Sequence, residues 1–473
     1  MNKIFKSPYS KILLLGLLVH LITSYFSEGY FHPDEHFSIL EFCNYKLGLS
    51  PASDLPWEFD ERIRPALQPI IAFVIIKFLN TLCINNPFSH AFILRLFTAI
   101  LAWFVISSIS LHLSRYFSSG TSKKLFISMS LFLWFIPFIN VRFSSETLSG
   151  IFFLLAVYLI LLYNNNLNKK LLRLVLPALL LGFSFFLRFQ IGFAIIGLGL
   201  WLLFINKMKW KEFLVLIGSG ILVVSLCIFL DYWFYGELEL TPINYFVTNI
   251  IKNKAANWGI RPWYYYFSSF TIKAVPPISI VLLVLFLIGL YKEPSNVFVW
   301  CFIPFLFSHM IVGHKELRFM FPMTYAFIYL SAIGLDFIIS KYKFNKTWKF
   351  LFVFVAAINI ILLLFKMLTP AQEAIKYYKF LYKYSRKEEI TLLSIEKKTY
   401  ELVGVDVNFY RSANIKNIVF NNFQQVEDYL NTNHPETVLL LNREFLLEYE
   451  FKDYNKRIIY SLFPKWIKNY NIN

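Results

Sequence analysis

The sequence predicts an α-helical protein that crosses a membrane many times. Of its 473 residues, 57% are hydrophobic, and the mean hydropathy index is +0.54. Soluble domains are usually about 45–50% apolar. Apolar runs of roughly 16–23 residues recur along the chain, and a helix of that length spans about 30 Å of hydrocarbon. These observations exclude a soluble enzyme, a secreted disulfide-stabilised domain and a disordered chain.

Eleven apolar runs are predicted to be membrane-spanning helices. They lie at 11–27, 91–113, 124–140, 148–163, 171–187, 189–205, 213–230, 273–290, 297–312, 319–339 and 350–368. A further stretch, 68–82, is shorter, is interrupted by Lys77 and is bracketed by Pro65, Pro69 and Pro87. Counting it as a span would give twelve.

The distribution of basic residues decides between these two counts, because cytoplasmic loops carry an excess of Lys and Arg. If the N-terminus is cytoplasmic and 68–82 does not cross, every large basic cluster falls on the cytoplasmic side. The clusters are Lys3/Lys6/Lys11, Arg115/Lys123/Lys124, Lys169/Lys170/Arg173, Lys207/Lys209/Lys211, Lys292 and Lys341/Lys343/Lys346/Lys349. If 68–82 crosses, all but the first cluster move outside. We therefore predict eleven spans, with 68–82 as a helix on the outer surface.

This topology divides the chain into two parts. Residues 1–370 form a transmembrane module whose large outer loops are 28–90, with juxtamembrane helices, and 231–272. In the segment 371–473, charged residues and asparagines alternate with short apolar runs. Strands are predicted at Leu392–Ile395, Asn417–Phe420 and Val438–Leu441, and a helix at Phe423–Leu430. The alternation predicts a small α/β domain outside the membrane.

The net charge of +17 does not indicate nucleic acid. Most of the excess lies in short clusters between apolar runs, where membrane topology accounts for it. The four cysteines, Cys43, Cys83, Cys227 and Cys301, have neither metal-type spacing nor a disulfide framework. No glycine-rich nucleotide-phosphate motif is present. The sequence therefore requires no metal and no cofactor.

The first outer loop opens with two histidines that flank two adjacent carboxylates. The motif runs from Glu28 to His36 and includes His32, Asp34 and Glu35. A crowded site at a membrane exit raises carboxyl basicity and suits a general base that takes a proton from a sugar hydroxyl. Periodicity cannot choose between the two neighbouring carboxylates. An interfacial polar cluster that ends a helix and a metal site are the alternatives.

A second charged cluster, His314–Phe319, lies in a turn between two apolar spans. His314, Lys315 and Arg318 are potential cations, and Glu316 is a carboxylate. Charges at the membrane boundary are costly and usually mark a binding function. Lys and Arg suit the phosphate of a lipid carrier, since Arg offers a fork of donors and Lys a point charge. Membrane-anchoring side chains are the alternative.

Six further residues are supporting candidates. Arg142 and Glu146 are four residues apart at a span boundary, and a local helix-stabilising ion pair is the alternative. Arg188 is a second potential phosphate contact, or a residue that only anchors its helix at the membrane interface. Asp231 ends a span, and the stretch with Arg261 and Trp263 that follows suits sugar stacking or an interfacial aromatic belt.

The polar residues gather on one side of the predicted membrane. A transporter normally places its site near the midplane, on broken helices. One-sided clustering therefore favours an enzyme that acts at the outer surface on a lipid-linked substrate. Two alternatives stay open: a lipid or polysaccharide transporter, and a surface-polysaccharide polymerase or ligase that uses a diphosphate-linked donor.

Together, these motifs resemble glycosyltransferase family 22, the membrane-embedded GT-C mannosyltransferases that use dolichyl-phosphate mannose. The resemblance rests on His32–Glu35, Arg142–Glu146, the stretch Asp231–Tyr266 and above all His314–Phe319. The motifs occur in the same order between about residues 11 and 370. The stretch Asp231–Tyr266 is most similar to the GPI-type branch.

The resemblance implies a GT-C fold and an inverting enzyme that moves mannose from a polyprenyl-phosphate or dolichyl-phosphate donor to a lipid-linked glycan. It implies that Asp34, with Glu35 beside it, is the catalytic carboxylate. It also implies that the turn His314–Arg318, with Arg188, binds the donor phosphate. The expected partners are this donor, the glycan acceptor and membrane lipids. The acceptor, the linkage and the carrier lipid stay open.

The predicted active site faces away from the cytoplasm. The sequence has a single Asn-X-Ser/Thr sequon, Asn345-Lys346-Thr347, and the topology places it in the cytoplasm. Because neither a sequon nor a disulfide pattern lies on the outer side, a bacterial inner membrane is favoured over the endoplasmic reticulum.

The topology can be tested with reporter fusions. A reporter fused after Lys341 should report the cytoplasm, and one fused after Asn473 should report the opposite side, because an odd number of spans separates the two ends of the chain. If both ends prove to be cytoplasmic, 68–82 crosses the membrane and the count of eleven is wrong.

Overall fold

The computed structural model describes residues 2–164, 170–342, 346–386, 389–395, 398–402, 404–433, 438–441 and 459–460. Lys169 and Lys343 of the basic clusters, and Asn345 of the sequon, lie outside these residues.

Helices make up most of the described chain. The α-helices of ten or more residues are Ser10–Phe26, Leu67–Thr81, Pro87–Leu113, Gly120–Phe132, Ser145–Asn164, Val175–Leu187, Trp210–Tyr235, Ile278–Lys292, Val297–Ile311, Thr324–Lys341, Lys346–Leu368, Ala374–Ser385 and Phe423–Asn433. Shorter α-helices are Asn2–Phe5, Pro33–Glu35, Phe42–Lys46, Trp57–Asp60, Phe135–Asn140, Gly192–Leu200, Thr241–Phe246 and Tyr265–Lys273. Single turns of π-helix are His36–Glu41, Trp201–Ile205 and Val247–Ile251. The 3-10 segments are Ala52–Asp54, Ser114–Tyr116, Leu171–Leu174, Phe189–Ile191, Lys254–Trp258 and Leu317–Met323.

Several of these helices can cross a membrane. Within the described residues, five helical stretches are long and apolar enough: Pro87–Tyr116, Ser145–Asn164, Trp210–Tyr235, Leu317–Lys341 and Lys346–Leu368. The pair Ile278–Lys292 and Val297–Ile311 meets the criteria as one unit bent by 120°, which would make six. Shorter apolar helices occupy Ser10–Phe26, Leu67–Thr81, Leu171–Leu187 and Phe189–Ile205. The structure confirms a helical, multi-pass membrane protein, while eleven spans stays a prediction.

The predicted span 124–140 is not one continuous helix. It breaks between Phe132 and Phe135, where Asn359 substitutes for the helical hydrogen bonds. The Asn359 side-chain amide donates to the Phe132 carbonyl oxygen at 2.8 Å, and its carbonyl oxygen accepts the Trp134 N–H at 2.9 Å. Backbone groups freed inside a membrane protein need such partners. A polar residue on a distant helix thus permits a break that the hydropathy pattern does not show.

Two glycines allow the helices Ile278–Lys292 and Thr324–Lys341 to pack backbone against backbone. A Cβ added at Gly289 would overlap the Leu330 carbonyl oxygen, and one added at Gly334 would overlap the Leu285 carbonyl oxygen. Between these contacts, the Ser331 hydroxyl lies 3.2 Å from the carbonyl oxygen of Leu282. Small residues at helix contacts are typical of membrane proteins, because they let dispersion contacts form over the whole interface.

The C-terminal segment contains a small parallel sheet. The strands are β1 (Ile390–Ile395), β2 (Glu401–Leu402), β3 (Val405–Asp406), β4 (Ile415–Phe420) and β5 (Val438–Leu441). The three-stranded sheet has the order β4-β1-β5 with parallel pairing, and β2 pairs with β3 in antiparallel register. The helix Phe423–Asn433 connects β4 to β5, as a parallel crossover requires. Its Val426 and Leu430 are buried in one apolar cluster with Leu393 of β1.

The chain forms two compact units, and neither is continuous in sequence. The membrane unit comprises 1–27, 58–71 and 92–369; the second unit comprises 28–57, 72–91 and residues from 370 onward. Within the second unit, the Phe409 N–H donates to the Glu41 carboxylate at 2.9 Å, and Lys379 lies 2.5 Å from Glu28. The start of the first outer loop and the C-terminal segment are therefore one folding unit.

The glycine contact predicts a stability difference between two Gly→Ala changes. Gly334→Ala should destabilise the protein by about 1–3 kcal/mol, because two backbones must separate to admit the methyl group. Gly218→Ala, in the helix Trp210–Tyr235, is the matched control, since an added Cβ there meets no atom within 4 Å. It should be neutral or stabilise by about 0.5–1 kcal/mol through helix propensity. Equal thermal midpoints of the two purified variants would contradict this close packing.

Candidate active site

The site in the membrane unit is built around Glu146, at the start of the helix Ser145–Asn164. One turn further along the same helix face, Gly150 contacts Pro322 of the 3-10 segment Leu317–Met323. A Cβ at residue 150 would lie 2.7 Å from the Pro322 Cα atom, so only glycine permits this approach. The contact brings the 3-10 segment, with Arg318, beside the Glu146 carboxylate.

Glu146 joins two arginines that are far apart in the sequence. Its Oε1 atom lies 2.8 Å from Nη1 of Arg318 and 3.1 Å from Nη1 of Arg188. All three side chains are buried. An unpaired charge in such a place would be strongly destabilising, whereas a carboxylate between two guanidinium groups is compensated from both sides. The predicted candidates Arg188, Glu146 and Arg318 therefore form one network.

A second carboxylate, Glu316, connects Arg318 to His314. Nε of Arg318 donates to Oε2 of Glu316 at 2.5 Å, and Nε2 of His314 lies 3.0 Å from its Oε1. Nδ1 of His314 lies 3.1 Å from the Gly259 carbonyl oxygen. Both ring nitrogens thus face acceptors, which favours the doubly protonated ring. The hydrogen bond to Glu316 accordingly raises the pKa of His314 above its usual value.

Lys315 is a cation without a carboxylate partner among the described residues. Its ammonium group donates to two backbone carbonyl oxygens, that of Arg261 at 3.0 Å and that of Val312. The side chain is buried, and desolvation lowers its pKa. Backbone carbonyls orient the ammonium group but do not cancel its charge. An anion placed here would supply the missing countercharge.

Phe319 packs against several cations of the cluster. The guanidinium carbons of Arg188 and Arg318 lie 4.8 and 5.1 Å from the centroid of its ring. The His314 ring is 5.8 Å away, edge to face. Cations over an aromatic face gain electrostatic stabilisation in a site with little water. Phe319 therefore belongs to the site.

The structure brings the other predicted candidates into different surroundings. Arg142 is fully buried, donates to the Ser27 hydroxyl at 2.8 Å and lies over the Phe138 ring. The Asp231 carboxylate accepts the Ala66 N–H at 2.8 Å and the Thr241 hydroxyl at 2.6 Å. These bonds join the end of the helix Trp210–Tyr235 to Ala66 and to the start of the helix Thr241–Phe246. Asp231 therefore fixes the position of these segments.

Arg261 and Trp263 lie in the loop that faces Lys315. The backbone of Arg261 contributes in two ways: its N–H donates to the Gly313 carbonyl oxygen at 3.0 Å, and its carbonyl accepts from Lys315. Its side chain is exposed, with the guanidinium carbon 5.9 Å from the Tyr265 ring. Trp263 is 62% exposed and contacts Tyr264 edge to face. The exposed indole is compatible with either a stacking surface or an interfacial belt.

The acidic motif of the first loop belongs to the second unit. Pro33–Glu35 form one helical turn, with His32 as its N-cap. Nδ1 of His32 accepts the Asp34 N–H at 3.2 Å and lies 3.4 Å from the Asp34 carboxylate. Glu35 instead accepts the Phe31 N–H at 3.1 Å, so its carboxylate is bonded to the backbone of its own loop. The two neighbouring carboxylates thus have different environments.

His36, the second histidine of the motif, follows this turn directly and pairs with Glu41, a partner that the sequence pattern did not reveal. Nε2 of His36 lies 2.7 Å from the Glu41 carboxylate, and both side chains are inaccessible to solvent. The two residues are five apart on a turn of π-helix, whose geometry aligns them. The His36 ring also stacks on Tyr410. The motif with Asp34 is therefore anchored to the C-terminal segment of its own unit.

Two further buried residues of the membrane unit, Tyr266 and His309, also went unassigned. Tyr266 lies in the aromatic stretch after Trp263, and His309 in the last turn of an apolar helix. Their rings are 6.3 Å apart, and His309 is 6.3 Å from Phe319. No pattern distinguishes them from belt and core residues. Across the described ranges, no group of three or more His, Cys, Asp or Glu residues could hold a metal ion.

Comparison with solved structures places the fold in a known group. Crystal structures of ArnT from Cupriavidus metallidurans superpose on the chain, and the one bound to undecaprenyl phosphate gives a TM-score of 0.57. That match covers 92% of this chain and 90% of ArnT at 10% sequence identity, and the apo structure gives 0.54. The chain therefore shares the fold of ArnT.

Sequence comparison finds relatives at moderate identity. A probable Dol-P-Man:Man(7)GlcNAc(2)-PP-Dol alpha-1,6-mannosyltransferase of Schizosaccharomyces pombe is 27% identical, over 65% of this chain and 54% of that protein. GPI mannosyltransferase 3 of Candida albicans is 26% identical over 68% and 64%, respectively. Human GPI alpha-1,2-mannosyltransferase 3 is 24% identical over 66% and 55%. The chain thus spans less than two thirds of the length of these relatives.

A family model matches most of the chain. The model of the Alg9-like mannosyltransferase family matches residues 11–407, which include the turn of Asp34, the Glu146 network and the whole cluster His314–Phe319. The chain therefore belongs to this family, glycosyltransferase family 22, as its motifs indicate.

Proposed function

We propose that the protein is an inverting glycosyltransferase that moves mannose from a polyprenyl-phosphate carrier to a hydroxyl of a lipid-linked glycan. The observation that carries this proposal is the excess of positive charge in the group formed by the cluster His314–Phe319 with Arg188 and Glu146. Arg188, Arg318 and Lys315 are three cations, whereas Glu146 and Glu316 are two carboxylates. Protonation of His314 adds a further positive charge.

A phosphate diester is the ligand that this imbalance fits. A sugar joined to a polyprenyl phosphate carries one negative charge, and the lipid phosphate released after transfer carries more. Preorganised cations stabilise such charge as it develops. Arg318 is largely committed to Glu146 and Glu316, and both ring nitrogens of His314 face Glu316 and Gly259, so Lys315 is the better placed direct ligand and His314 contributes its charge from beside it. The names of the relatives, which specify Dol-P-Man and GPI mannosyltransferases, support mannose as the sugar. The ArnT structure bound to undecaprenyl phosphate supports a polyprenyl carrier.

Asp34 is the proposed catalytic base. Its carboxylate would take the proton of the acceptor hydroxyl while the hydroxyl oxygen forms a bond to the anomeric carbon. The bond between that carbon and the phosphate oxygen breaks, and the lipid phosphate leaves with the electron pair. The engagement of Glu35 with the Phe31 N–H supports Asp34 over its neighbour. His32, in contact with Asp34, would orient the carboxylate.

The remaining features of the proposal concern topology. We propose eleven spans, a module 1–370 with an outer domain 371–473, and an active site on the non-cytoplasmic side of a bacterial inner membrane or of the endoplasmic reticulum. A transporter or a surface-polysaccharide polymerase is not favoured, because the family matched over residues 11–407 is one of mannosyltransferases.

Replacement of Asp34 tests the catalytic role. Asp34→Asn removes the base without changing the shape of the side chain, so mannosyl transfer should fall by about 10²–10⁴-fold. Donor binding should persist, because the phosphate contacts are made elsewhere. The measurement is transfer from labelled polyprenyl-phosphate mannose to a panel of lipid-linked acceptors in membranes.

Glu35→Gln is the matched control for this change. It should reduce transfer less, through disturbance of the loop that Glu35 closes with Phe31. If Glu35→Gln abolishes transfer while Asp34→Asn retains it, the two roles are exchanged. If both variants transfer normally, the first loop is not the catalytic centre.

Replacement of Lys315 tests the phosphate site. Lys315→Ala removes a charge-assisted contact of about 1.5–3 kcal/mol, which corresponds to roughly 10- to 150-fold weaker use of the donor. The KM for the acceptor should change little. Lys292→Ala is the control, because Lys292 ends the helix Ile278–Lys292 and its ammonium group lies over the Phe337 and Tyr291 rings. Unchanged donor dependence in Lys315→Ala would assign this turn to membrane anchoring.

A further inference from the structure

Three polar atoms beside the charged cluster are buried without a hydrogen-bond partner. They are Nε of Arg188, the hydroxyl of Tyr266 and Nε2 of His309, and the statement covers the described part of the chain. The three residues are 6%, 4% and 5% exposed, respectively. Burial of a polar group without a hydrogen bond is destabilising, because the group loses its hydrogen bonds to water and gains none in return. Three such groups in one place indicate that a ligand completes their bonding.

Two of the three residues contact Phe319. Arg188 lies over its ring, and the His309 ring is 6.3 Å from it. Tyr266 in turn contacts His309 edge to face at 6.3 Å. The three residues therefore adjoin the charged cluster, Arg188 and His309 through Phe319 and Tyr266 through His309.

The chemistry of the three atoms specifies the ligand. Nδ1 of His309 lies 2.7 Å from the Phe305 carbonyl oxygen, which can only accept, so Nδ1 carries the proton. Nε2 of the neutral ring is then an acceptor that needs a hydroxyl donor. The Tyr266 hydroxyl can donate or accept, and Nε of Arg188 can only donate. A group with several hydroxyls, attached to an anion, matches this set, whereas a bare phosphate offers no donor to His309.

We propose that Tyr266 and His309, with Nε of Arg188, form the subsite that recognises the hexose of the donor. This inference rests on the proposed function, because the hexose is placed by its bond to the phosphate that Lys315 binds. Tyr266 and His309 are then specificity-determining residues. A site built to hydrogen-bond a sugar hydroxyl rejects an analogue that lacks it, because the protein group is left unpaired again.

Binding measurements on the purified full chain test this subsite without relying on catalysis. The probes are polyprenyl phosphate and the polyprenyl-phosphate derivatives of mannose, glucose and galactose, and the readout is the shift of the thermal midpoint with ligand concentration. In the wild type, one sugar-bearing probe should bind at least about tenfold more tightly than the other two, which carry the same charge, as expected for one or more hydrogen bonds to the sugar. Tyr266→Phe and His309→Leu should lose most of this difference and still bind polyprenyl phosphate. His309→Gln, whose amide oxygen can accept a hydrogen bond, should retain part of it.

Tyr325→Phe is the matched control. The Tyr325 hydroxyl is also buried, but it is bonded to the Ser110 hydroxyl at 2.9 Å. Its removal should lower the thermal midpoint of the ligand-free protein and leave the sugar-dependent difference intact. Tyr266→Phe should show the reverse, with a ligand-free midpoint equal to or above that of the wild type, because the hydroxyl it removes has no partner.

Two outcomes would overturn the subsite: a wild-type protein that does not distinguish the three sugar-bearing probes from one another, or variants at Tyr266 and His309 that both keep the full difference. A sugar-dependent difference that these variants lose, in a protein that transfers no mannose, would support the subsite and contradict the transferase proposal.

Discussion

The bond of one carboxylate to two arginines organises the membrane unit around its site. Arg188 follows the helix Val175–Leu187. Arg318 lies in the 3-10 segment Leu317–Met323, 130 residues later. Two buried guanidinium groups that both approach the same oxygen atom would repel each other strongly if no anion lay between them. Glu146 removes that repulsion, and Gly150 on the same helix admits the backbone of Pro322. Electrostatic and steric complementarity thus come from one helix turn.

The network also divides the cations into two groups. One group is paired with carboxylates, and the other is available to bind a ligand. Arg318 directs its guanidinium nitrogens to Glu146 and Glu316, so its charge is largely compensated. In the described part of the chain, Lys315, three residues earlier, donates to carbonyl oxygens only, which orient the ammonium group and leave its charge available. Residues with the same formal charge therefore differ in what they can bind. The difference arises from hydrogen-bond geometry, which a basic motif in a sequence does not display.

Hydropathy predicts the helices well, because a membrane helix requires a long apolar run wherever it occurs. Each predicted span overlaps a helix, and the turn His314–Phe319 falls between two of them. The break near Phe132 was not predictable, since it depends on Asn359, 225 residues from Trp134. The spacing of Arg142 and Glu146 suggested a local pair, whereas the bonds to Arg188 and Arg318 exist only through tertiary packing. For the same reason, Tyr266 and His309 resembled ordinary belt and core residues.

The hydrogen bond from Phe409 to Glu41 has a consequence for the biogenesis of the protein. It joins residues 368 positions apart, so Glu41 and its partner His36 lack this contact until 368 more residues have been synthesised. Contacts of such sequence separation form late, because the closure of a long loop precedes any gain in energy. The segment that carries Asp34 therefore leaves the ribosome long before it reaches its final structure.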